Sequence, residues 1–388
     1  MDGLNVAIVG GGIGGLCAAL ALRRAGHHPT VFERAEAFRP VGAGISVWAN
    51  GVKVLDLLGL GPAVAAAGGR MDRMVYASGA DGATLTSISL LALYARVGER
   101  AWPLARTALQ EMLLGSLGRE LVQTGMCCTG VSDHGPGVAV HFEDGGRAEA
   151  DLVVAADGTH SALRSYVLGE TVDRRYVGYV NWNGIVETDG DIVEADTWRT
   201  WVGEGMRASV MPVGGGRLYF FFDVPLPASA LEDLPPAAAI LPERFGGWAA
   251  PVRSLLRAAL DGPINAAPIH DLPRLPTWNR GRVVLLGDAA HTMAPDLGQG
   301  GCQAMEDAVV LAHYLTTTNQ SLDDALRRYG DERRPHTADI VRRARKRSDT
   351  THGVDPAVTA AWYRALDGDD GTAILDGLAQ SVETGPCR

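Results

Sequence analysis

The feature that most constrains the fold is a glycine-rich turn between a short apolar strand and a helix. Residues 5–9, Asn-Val-Ala-Ile-Val, are typical of a buried parallel strand, and the turn from Gly10 to Gly15 has the spacing G-x-G-x-x-G. Residues 16–24 are then expected to be helical, and residues 30–32 to form a second strand that ends at Glu33. This order predicts a βαβ unit that binds a dinucleotide.

Each glycine of this spacing has its own physical task. Gly10 is expected to make the tight turn, Gly12 to let the backbone approach a pyrophosphate, and Gly15 to let helix and strand pack closely. The helix N-terminus offers free N–H groups to the phosphates. Glu33, 18 residues after Gly15, can accept hydrogen bonds from a ribose. The unit alone does not distinguish NAD from FAD, and a glycine loop without a ligand is the alternative.

Two later segments favour FAD. Residues 151–156 predict a buried strand that ends at Asp157, with residues 160–164 expected on a helix. Residues 282–286 predict another strand that runs into Gly287 and Asp288. A second strand with an acid at its tip suits an extended dinucleotide, because Asp288 can hold a ribityl hydroxyl.

A glycine turn follows this third segment. Pro295 precedes the turn at 298–301, and a helix is expected from about residue 303 to residue 315. Backbone N–H groups near Gly300 and Gly301 can face the pyrimidine carbonyl of a flavin, where the helix end stabilises negative charge. His291 is expected either to pack in the core or to contact the flavin.

Composition and charge exclude several classes of protein. Apolar residues make up 46% and charged residues 21%, as in globular proteins, and 388 residues allow two or three domains. The net charge of −10 argues against nucleic acid or an anionic membrane as partner. The five cysteines lack paired metal spacing, which predicts reduced thiols and a cytoplasmic location. The uncharged run at 4–22 is long enough to span a bilayer, but its glycines argue against a membrane helix.

Other chemistries fit the sequence less well. Asp157, His160 and Ser161 could suggest a hydrolytic triad, but the G-x-S-x-G elbow is missing from the sequence. Asp288 and His291 could suggest a metal site, but no third ligand has a suitable spacing, and we expect no metal.

The three segments GGGIGG, ADGTHSALR and GDAAHTMAPDLGQGG resemble the fingerprints of the group A flavoprotein monooxygenases, the p-hydroxybenzoate hydroxylase family. The resemblance implies FAD as cofactor and NAD(P)H as a co-substrate that visits without a domain of its own. It also implies that Glu33 binds the adenosine ribose, that Arg106 contacts FAD and that Asp157 lies between FAD and nicotinamide. The complete set of expected cofactor-binding residues is Gly10, Gly12, Gly15, Glu33, Arg34, Arg106, Asp157, Asp288, Pro295, Gly298, Gly300 and Gly301.

Further segments resemble the bacterial FAD-dependent urate hydroxylases: VGAGISVW at 41–48, RYVGYVNWNG at 175–184, VGEGMR at 202–207, YFFFD at 219–223 and ARKRSD at 344–349. In that family the matching arginine and tyrosine contact urate, which implies catalytic roles for Arg207 and Tyr219. The implied reaction uses NAD(P)H and O2 to hydroxylate urate at C5, giving 5-hydroxyisourate through a flavin C4a-hydroperoxide. Another electron-rich heteroaromatic or phenolic substrate, a non-catalytic FAD-binding protein and a plain NAD-dependent dehydrogenase are the alternatives.

The strand pattern agrees with a shared site for these two residues. Residues 209–213 and 217–222 flank three glycines and predict a hairpin in which Met211 faces Tyr219. Because side chains alternate along a strand, Arg207 then shares the face of Tyr219. An exposed strand arginine and a core tyrosine are the alternatives.

The predicted fold class is α/β, with a Rossmann-like FAD-binding domain, an inserted β-sheet substrate domain and a C-terminal helical segment. The expected bounds are 1–73, 98–173 and 268–335 for the FAD domain, 74–97 and 174–267 for the substrate domain, and 336–388 for the helical segment. Residues 327–347 are expected to form a surface helix broken by Pro335. We expect a monomer or homodimer.

Overall fold

The computed structural model describes residues 3–38, 43–187, 192–317 and 320–387, and its strands form two large sheets and two small ones. The strands are β1 Asn5–Val9, β2 His28–Glu33, β3 Gly44–Val47, β4 Arg73–Ser78, β5 Thr84–Ser89, β6 Trp102–Ala105, β7 Val122–Thr124, β8 Cys128–Asp133, β9 Val138–Phe142, β10 Arg147–Ala150, β11 Leu152–Ala155, β12 Arg175–Glu187, β13 Thr197–Gly203, β14 Met206–Pro212, β15 Arg217–Pro225, β16 Asn265–Asp271, β17 Asn279–Arg280 and β18 Val283–Leu285.

Helices cover the sheets and form the C-terminal part. They are α1 Ile13–Arg24, α2 Ala49–Leu57, α3 Gly61–Ala67, α4 Leu91–Val97, α5 Arg106–Leu117, α6 Arg164–Leu168, α7 Ala237–Phe245, α8 Ala250–Leu260, α9 Asp288–His291, α10 Gly300–Thr316, α11 Leu322–Thr351, α12 Pro356–Leu366 and α13 Thr372–Glu383. Short 3-10 turns lie at Arg119–Leu121, Ala228–Leu231 and Pro295–Leu297.

The six-stranded sheet has the order β17-β18-β11-β1-β2-β7, and all neighbours except β17 and β18 run parallel. Its central strands are apolar and buried, since helices α1 and α10 pack against the sheet and each other. The carboxyl ends of β1, β11 and β18 therefore lie side by side. This arrangement brings together the three segments that the sequence separates widely, and the predicted Rossmann-like α/β fold is confirmed.

The seven-stranded sheet has the order β16-β12-β15-β14-β13-β4-β5. One face is apolar and packs against α7 and α8 through large side chains, among them Trp182, Phe220 and Phe222. Met211 pairs with Tyr219, so the predicted register of the hairpin is confirmed and Arg207 lies on the same face as Tyr219. The division of the chain into domains at the expected boundaries stays a prediction.

Two local expectations are wrong. His160 and Ser161 lie in a turn and not on a helix, because the Asp157 carboxylate accepts the backbone N–H of Ala162 (2.8 Å) and holds the turn open; α6 begins only at Arg164.

The other wrong expectation is the break at Pro335. Helix α11 runs without interruption for 30 residues, and Arg333 on it is fully buried rather than solvated. A proline removes one backbone hydrogen bond, and packing of α11 against α10 holds the helix together across that position.

Membrane and thiol features are simple. In the four described ranges, no helix is long and apolar enough to cross a bilayer. Cys17, Cys127, Cys128, Cys302 and Cys387 are free thiols. Val41 and Gly42, the first residues of the quoted segment 41–48, lie outside the described residues.

Candidate active site

The glycine-rich turn after β1 is shaped by very close backbone approaches. Gly10 has φ +110°, and a Cβ there would lie 2.3 Å from the carbonyl oxygen of Ala156. A Cβ at Gly15 would lie 2.0 Å from the carbonyl oxygen of Gly10. In front of Gly12, by contrast, an added Cβ would meet nothing within 4 Å. The turn is therefore tight where it packs on the sheet and open where α1 begins, as a phosphate site needs.

Glu33 ends β2 and its carboxylate reaches across to this turn. Oε2 accepts the backbone N–H of Gly11 at 2.7 Å, and Oε1 accepts that of Ala35 at 2.9 Å. Each carboxylate oxygen keeps a further lone pair for a hydroxyl group. Arg34, the next residue, is exposed and does not line the cavity described below.

Asp157 follows β11 and its carboxylate is only half satisfied. Oδ2 accepts the N–H groups of Ala162 and Leu163, whereas Oδ1 is buried and has no hydrogen-bond partner among the described residues. Burial raises the pKa of this carboxyl above its ordinary value. A buried acceptor without a partner points to a donor that a bound group would supply.

Arg164 joins the second and third fingerprint segments. It is 6% exposed, and its Nε donates to the carbonyl oxygen of Ala289 at 2.8 Å while Nη2 donates to that of Asp288 at 3.2 Å. The guanidinium thus fixes the short helix α9 relative to the turn after β11.

A cavity of about 340 Å³ lies between the two large sheets, at the carboxyl ends of β1, β11 and β18. Nine of the fourteen expected site residues line it: Gly12, Arg106, Arg207, Tyr219, Asp288, Pro295, Gly298, Gly300 and Gly301. Gly10 and Gly15 shape the turn behind Gly12, and Glu33, Arg34 and Asp157 lie outside the lining. The cavity therefore joins the glycine turn of one sheet to the polar face of the other.

The floor of the cavity near α10 is a second tight turn. Gly298 has φ +63°, and a Cβ there would lie 2.6 Å from Nε1 of Trp48. Helix α10 begins two residues later and runs for 17 residues, so its N-terminal N–H groups border the cavity at Gly300 and Gly301.

A buried ionic network holds this floor from behind. Nε2 of His291 lies 2.7 Å from Oδ2 of Asp307, which also accepts the N–H of Gly287, and Nε of Arg333 donates to Oδ1 of Asp307. Burial opposes the charge of Asp307, but His291 and Arg333 outweigh it and lower the pKa of that carboxyl to about 2. His291 is therefore packed and hydrogen-bonded in the core, and it does not line the cavity.

Arg207 enters the cavity from β14 between two fully buried carboxylates. Its Nε donates to Oδ2 of Asp223 at 2.8 Å, and Nη2 lies 2.7 Å from the same oxygen and 2.9 Å from Oδ1 of Asp296. Burial would lower the pKa of the guanidinium, but the two acids outweigh it and hold the pKa above the ordinary value. Within the described residues the remaining nitrogen, Nη1, makes no hydrogen bond, and Arg207 lines the cavity.

Tyr219 stands on the neighbouring strand with its ring against Gly44, where a Cβ would lie 2.4 Å from the tyrosine Cγ. Burial, first of all, raises the pKa of its phenol. The phenol is therefore protonated at neutral pH and can donate a hydrogen bond. On the same face, Nδ2 of Asn181 donates to Oδ1 of Asp223 at 2.6 Å, and Asn181 also lines the cavity.

Sequence reasoning missed several residues of this polar face: Tyr179, Asn181, Asp223, Asp296 and His352. All except His352 lie within the segments that carry the family resemblance, but no spacing in the sequence links any of them to Arg207. A signal was available for Asp223, because an acid after three phenylalanines in a buried strand needs a partner. No group of three or more metal-ligating side chains occurs within the described parts of the chain.

These residues fit FAD. The open space before Gly12 and the N-terminus of α1 suit a pyrophosphate, the Glu33 carboxylate suits a ribose, and the unsatisfied Oδ1 of Asp157 suits a donor from the bound group. The glycine floor at 298–301 leaves room for a flat ring above the end of α10.

Comparison with known proteins agrees with this fit. The family model "FAD binding domain" matches residues 3–344. The chain is 47% identical over 383 residues to an FAD-dependent urate hydroxylase of Klebsiella oxytoca, covering 99% of this chain and 100% of that protein. It is 44% identical over 385 residues to an FAD-dependent urate hydroxylase of Mycolicibacterium vanbaalenii, covering 99% and 98% of the two chains.

Among solved structures, Klebsiella pneumoniae HpxO complexed with FAD and uric acid is similar to this chain with a TM-score of 0.95 and 44% identity, covering 99% of this chain and 98% of HpxO. The 2,6-dihydroxypyridine-3-hydroxylase of Arthrobacter nicotinovorans is similar with a TM-score of 0.79 and 25% identity, covering 90% and 93%.

Proposed function

Because the chain belongs to the FAD binding domain family and is an FAD-dependent monooxygenase, we propose that it hydroxylates urate at C5 to give 5-hydroxyisourate. The balanced reaction consumes urate, NAD(P)H, a proton and O2, and yields 5-hydroxyisourate, NAD(P)+ and water. Similarity over almost the whole chain to several urate hydroxylases supports this substrate.

The observation that carries the proposal is the position of Arg207. A buried guanidinium with one nitrogen left over lines the same cavity as the glycine floor at α10. Urate is a planar anion with oxygen and nitrogen acceptors on its edge, and arginine binds such edges through charge-assisted hydrogen bonds. A neutral or cationic ring would gain less from this group.

The other polar side chains complete the binding of a flat ring. The protonated phenol of Tyr219 donates a hydrogen bond to an acceptor on the ring edge. Asp223 and Asp296 hold the Arg207 guanidinium in one orientation, so the bound ring is held in one orientation as well. No protein side chain needs to act as general base, since the substrate is already an anion.

The cofactor-binding roles belong to the same proposal. Gly12 and the end of α1 hold the pyrophosphate, Glu33 the adenosine ribose and Asp288 the ribityl chain, while Gly300 and Gly301 present N–H groups to the flavin pyrimidine. FAD bound by these residues would supply the redox chemistry, namely acceptance of a hydride from NAD(P)H and transfer of one oxygen atom of O2. A monomer or homodimer in the cytoplasm is also part of the proposal.

The test is a coupled assay on the purified holoprotein. Oxygen uptake and NADH oxidation are followed with urate, xanthine and salicylate, and product and hydrogen peroxide are quantified separately. We expect urate to accelerate NADH oxidation and to be consumed in a ratio near one to one, with little peroxide. If turnover with salicylate were faster and more tightly coupled than with urate, salicylate would be the better candidate substrate. A flavin that NADH cannot reduce with any ligand would overturn the enzyme activity itself.

A further inference from the structure

His352 is a buried histidine that the proposed function does not use. It directly follows helix α11, is 5% exposed, and its ring stacks on Tyr179 with the ring centroids 3.9 Å apart. Nδ1 lies 3.0 Å from the carbonyl oxygen of Gly205 in the turn between β13 and β14. A carbonyl oxygen only accepts hydrogen bonds, so Nδ1 carries a hydrogen.

The other ring nitrogen faces the two acids that hold Arg207. Nε2 of His352 lies 3.6 Å from Oδ1 of Asp296 and 4.0 Å from Oδ2 of Asp223. A lone pair on Nε2 would be repelled by two buried carboxylates, whereas an N–H would be attracted. The C-terminal end of α11 also favours a positive charge at this point. The surroundings of both ring nitrogens therefore favour a hydrogen on Nε2 as well as on Nδ1.

The charges around His352 then balance. The facing groups are Asp296 before the Gly298 turn, Asp223 on β15, Arg207 on β14 and the Tyr179 hydroxyl, which donates to Oδ2 of Asp296 at 2.8 Å. From α12, the Tyr363 hydroxyl accepts the N–H of Gly205 on the same turn. Two positive and two negative charges give a neutral cluster with the imidazolium, and a net negative cluster without it.

We propose that His352 is a positioning residue for anion binding: its positive charge neutralises the second carboxylate beside Arg207, so that the guanidinium can receive an anionic ring. The inference rests on the proposed function in that urate is the anion. Burial opposes the charge of Asp296, yet Arg207, His352 and the Tyr179 hydroxyl outweigh it and hold the pKa of that carboxyl below its ordinary range. Asp296 thus stays ionised beside the two cations.

The first measurement needs no urate. In holoprotein labelled with 15N-histidine, the ring nitrogen shifts report the charge of each of the ten histidines, and loss of one signal in His352→Gln assigns His352. We expect an imidazolium at pH 7.5. A neutral His352 ring at that pH would overturn the proposal, whatever the substrate is.

The second measurement is the affinity for urate, from the change in the absorbance of the bound flavin on titration. We expect His352→Gln to weaken urate binding about tenfold or more while FAD stays bound, because an anion then meets a negative cluster. His352→Lys should recover part of that loss by returning a positive charge. His27→Gln, at a histidine that is 2% exposed at the start of the other sheet, should bind urate like the wild type.

The outcomes separate the two proposals. Unchanged urate affinity in a folded His352→Gln protein would overturn the role of His352 and leave urate as substrate. Failure of the wild type to bind or hydroxylate urate would overturn the proposed function, while the ring charge from the first measurement would still stand. If His352→Gln does not fold, the affinity of His352→Lys decides: equal or near wild-type affinity supports the charge, and a loss as large as tenfold refutes it.

Discussion

Arg333 lies between two fully buried carboxylates, and its replacement by methionine should destabilise the protein strongly. Nε donates to Oδ1 of Asp307 at 2.6 Å, Nη1 to Oε2 of Glu306 at 2.9 Å, and Nη2 to Oε1 of Gln303 at 2.7 Å. Methionine fills the space of the arginine stem but leaves the two acids without their shared cation.

The size of the destabilisation depends on the hydrogen-bond partners that each carboxylate retains in Arg333→Met. Asp307 retains His291 and the N–H of Gly287, whereas Glu306 retains chiefly Asn50, whose Nδ2 donates to Oε1 at 3.1 Å. Removing one partner of a buried pair costs about 3–5 kcal/mol. The unfolding entropy is about 2 cal/mol/K per residue, so in a chain of 388 residues a loss of 1 kcal/mol in the free energy of unfolding lowers Tm by about 1.2 °C. We therefore expect a Tm about 5 °C lower.

The loss should also depend on pH. Burial, first of all, raises the pKa of Glu306 in the wild type, and loss of Arg333 raises it further. A group with a raised pKa in the folded state is stabilising below the pKa of the unfolded state and loses that stability as pH rises through the folded value. The deficit of Arg333→Met is thus larger at high pH, where Glu306 is charged, and shrinks as the pH falls and Glu306 takes up a proton.

Urea denaturation and thermal unfolding at pH 5 and pH 8 measure this deficit. Arg342→Met on the same helix is the matched control, because Arg342 is 68% exposed and pairs with Asp339 at the surface. We expect a change below about 0.5 kcal/mol for the control. An Arg333→Met protein no less stable than the control, or equally destabilised at both pH values, would refute the reasoning.

Three further predictions concern the site and the thiols. Arg207→Gln should keep NADH oxidation while urate turnover falls and peroxide rises, and full coupling in a peroxide and product assay would contradict its role. Gly15→Ala should yield a colourless or FAD-poor protein by visible spectroscopy, because the new Cβ meets a backbone oxygen at 2.0 Å; Gly115→Ala, with open space around it, should stay yellow. Cys17 and Cys302, whose thiol pKa values burial raises to about 12, should react with a thiol reagent at pH 8 only after unfolding, as reaction kinetics will show.

The parts of the fold that were predictable depend on local spacing. The G-x-G-x-x-G turn predicts the close backbone approaches at Gly10 and Gly15, because only glycine permits them. The flanking strand and helix are predictable from the pattern of apolar residues. The three glycines after Val213 set the hairpin register, and alternation then places Arg207 beside Tyr219. Both inferences need only residues within one βαβ unit or one hairpin.

The parts that were not predictable depend on distant packing. His352 reaches Gly205 across 147 residues, and nothing in the spacing of either segment indicates that contact. Arg333 looks like one more arginine in a charged helix until α10 presents Glu306 and Asp307 to it. Pro335 predicts a break from backbone chemistry alone, and the tertiary packing of α11 overrides that preference.

Residues beyond position 344, where the family model ends, pack behind the polar face of the cavity. Helix α11 continues to Thr351. The side chains of His352 and Tyr363 both form hydrogen bonds with Gly205 in the turn between β13 and β14. Arg96 on α4 forms ion pairs with Asp376 and Glu383 on α13. A hybrid that joins the seven-stranded sheet of one such enzyme to the flavin domain of another should therefore carry these last helices with the sheet, since a junction at the family boundary would place one enzyme's acids beside another enzyme's histidine.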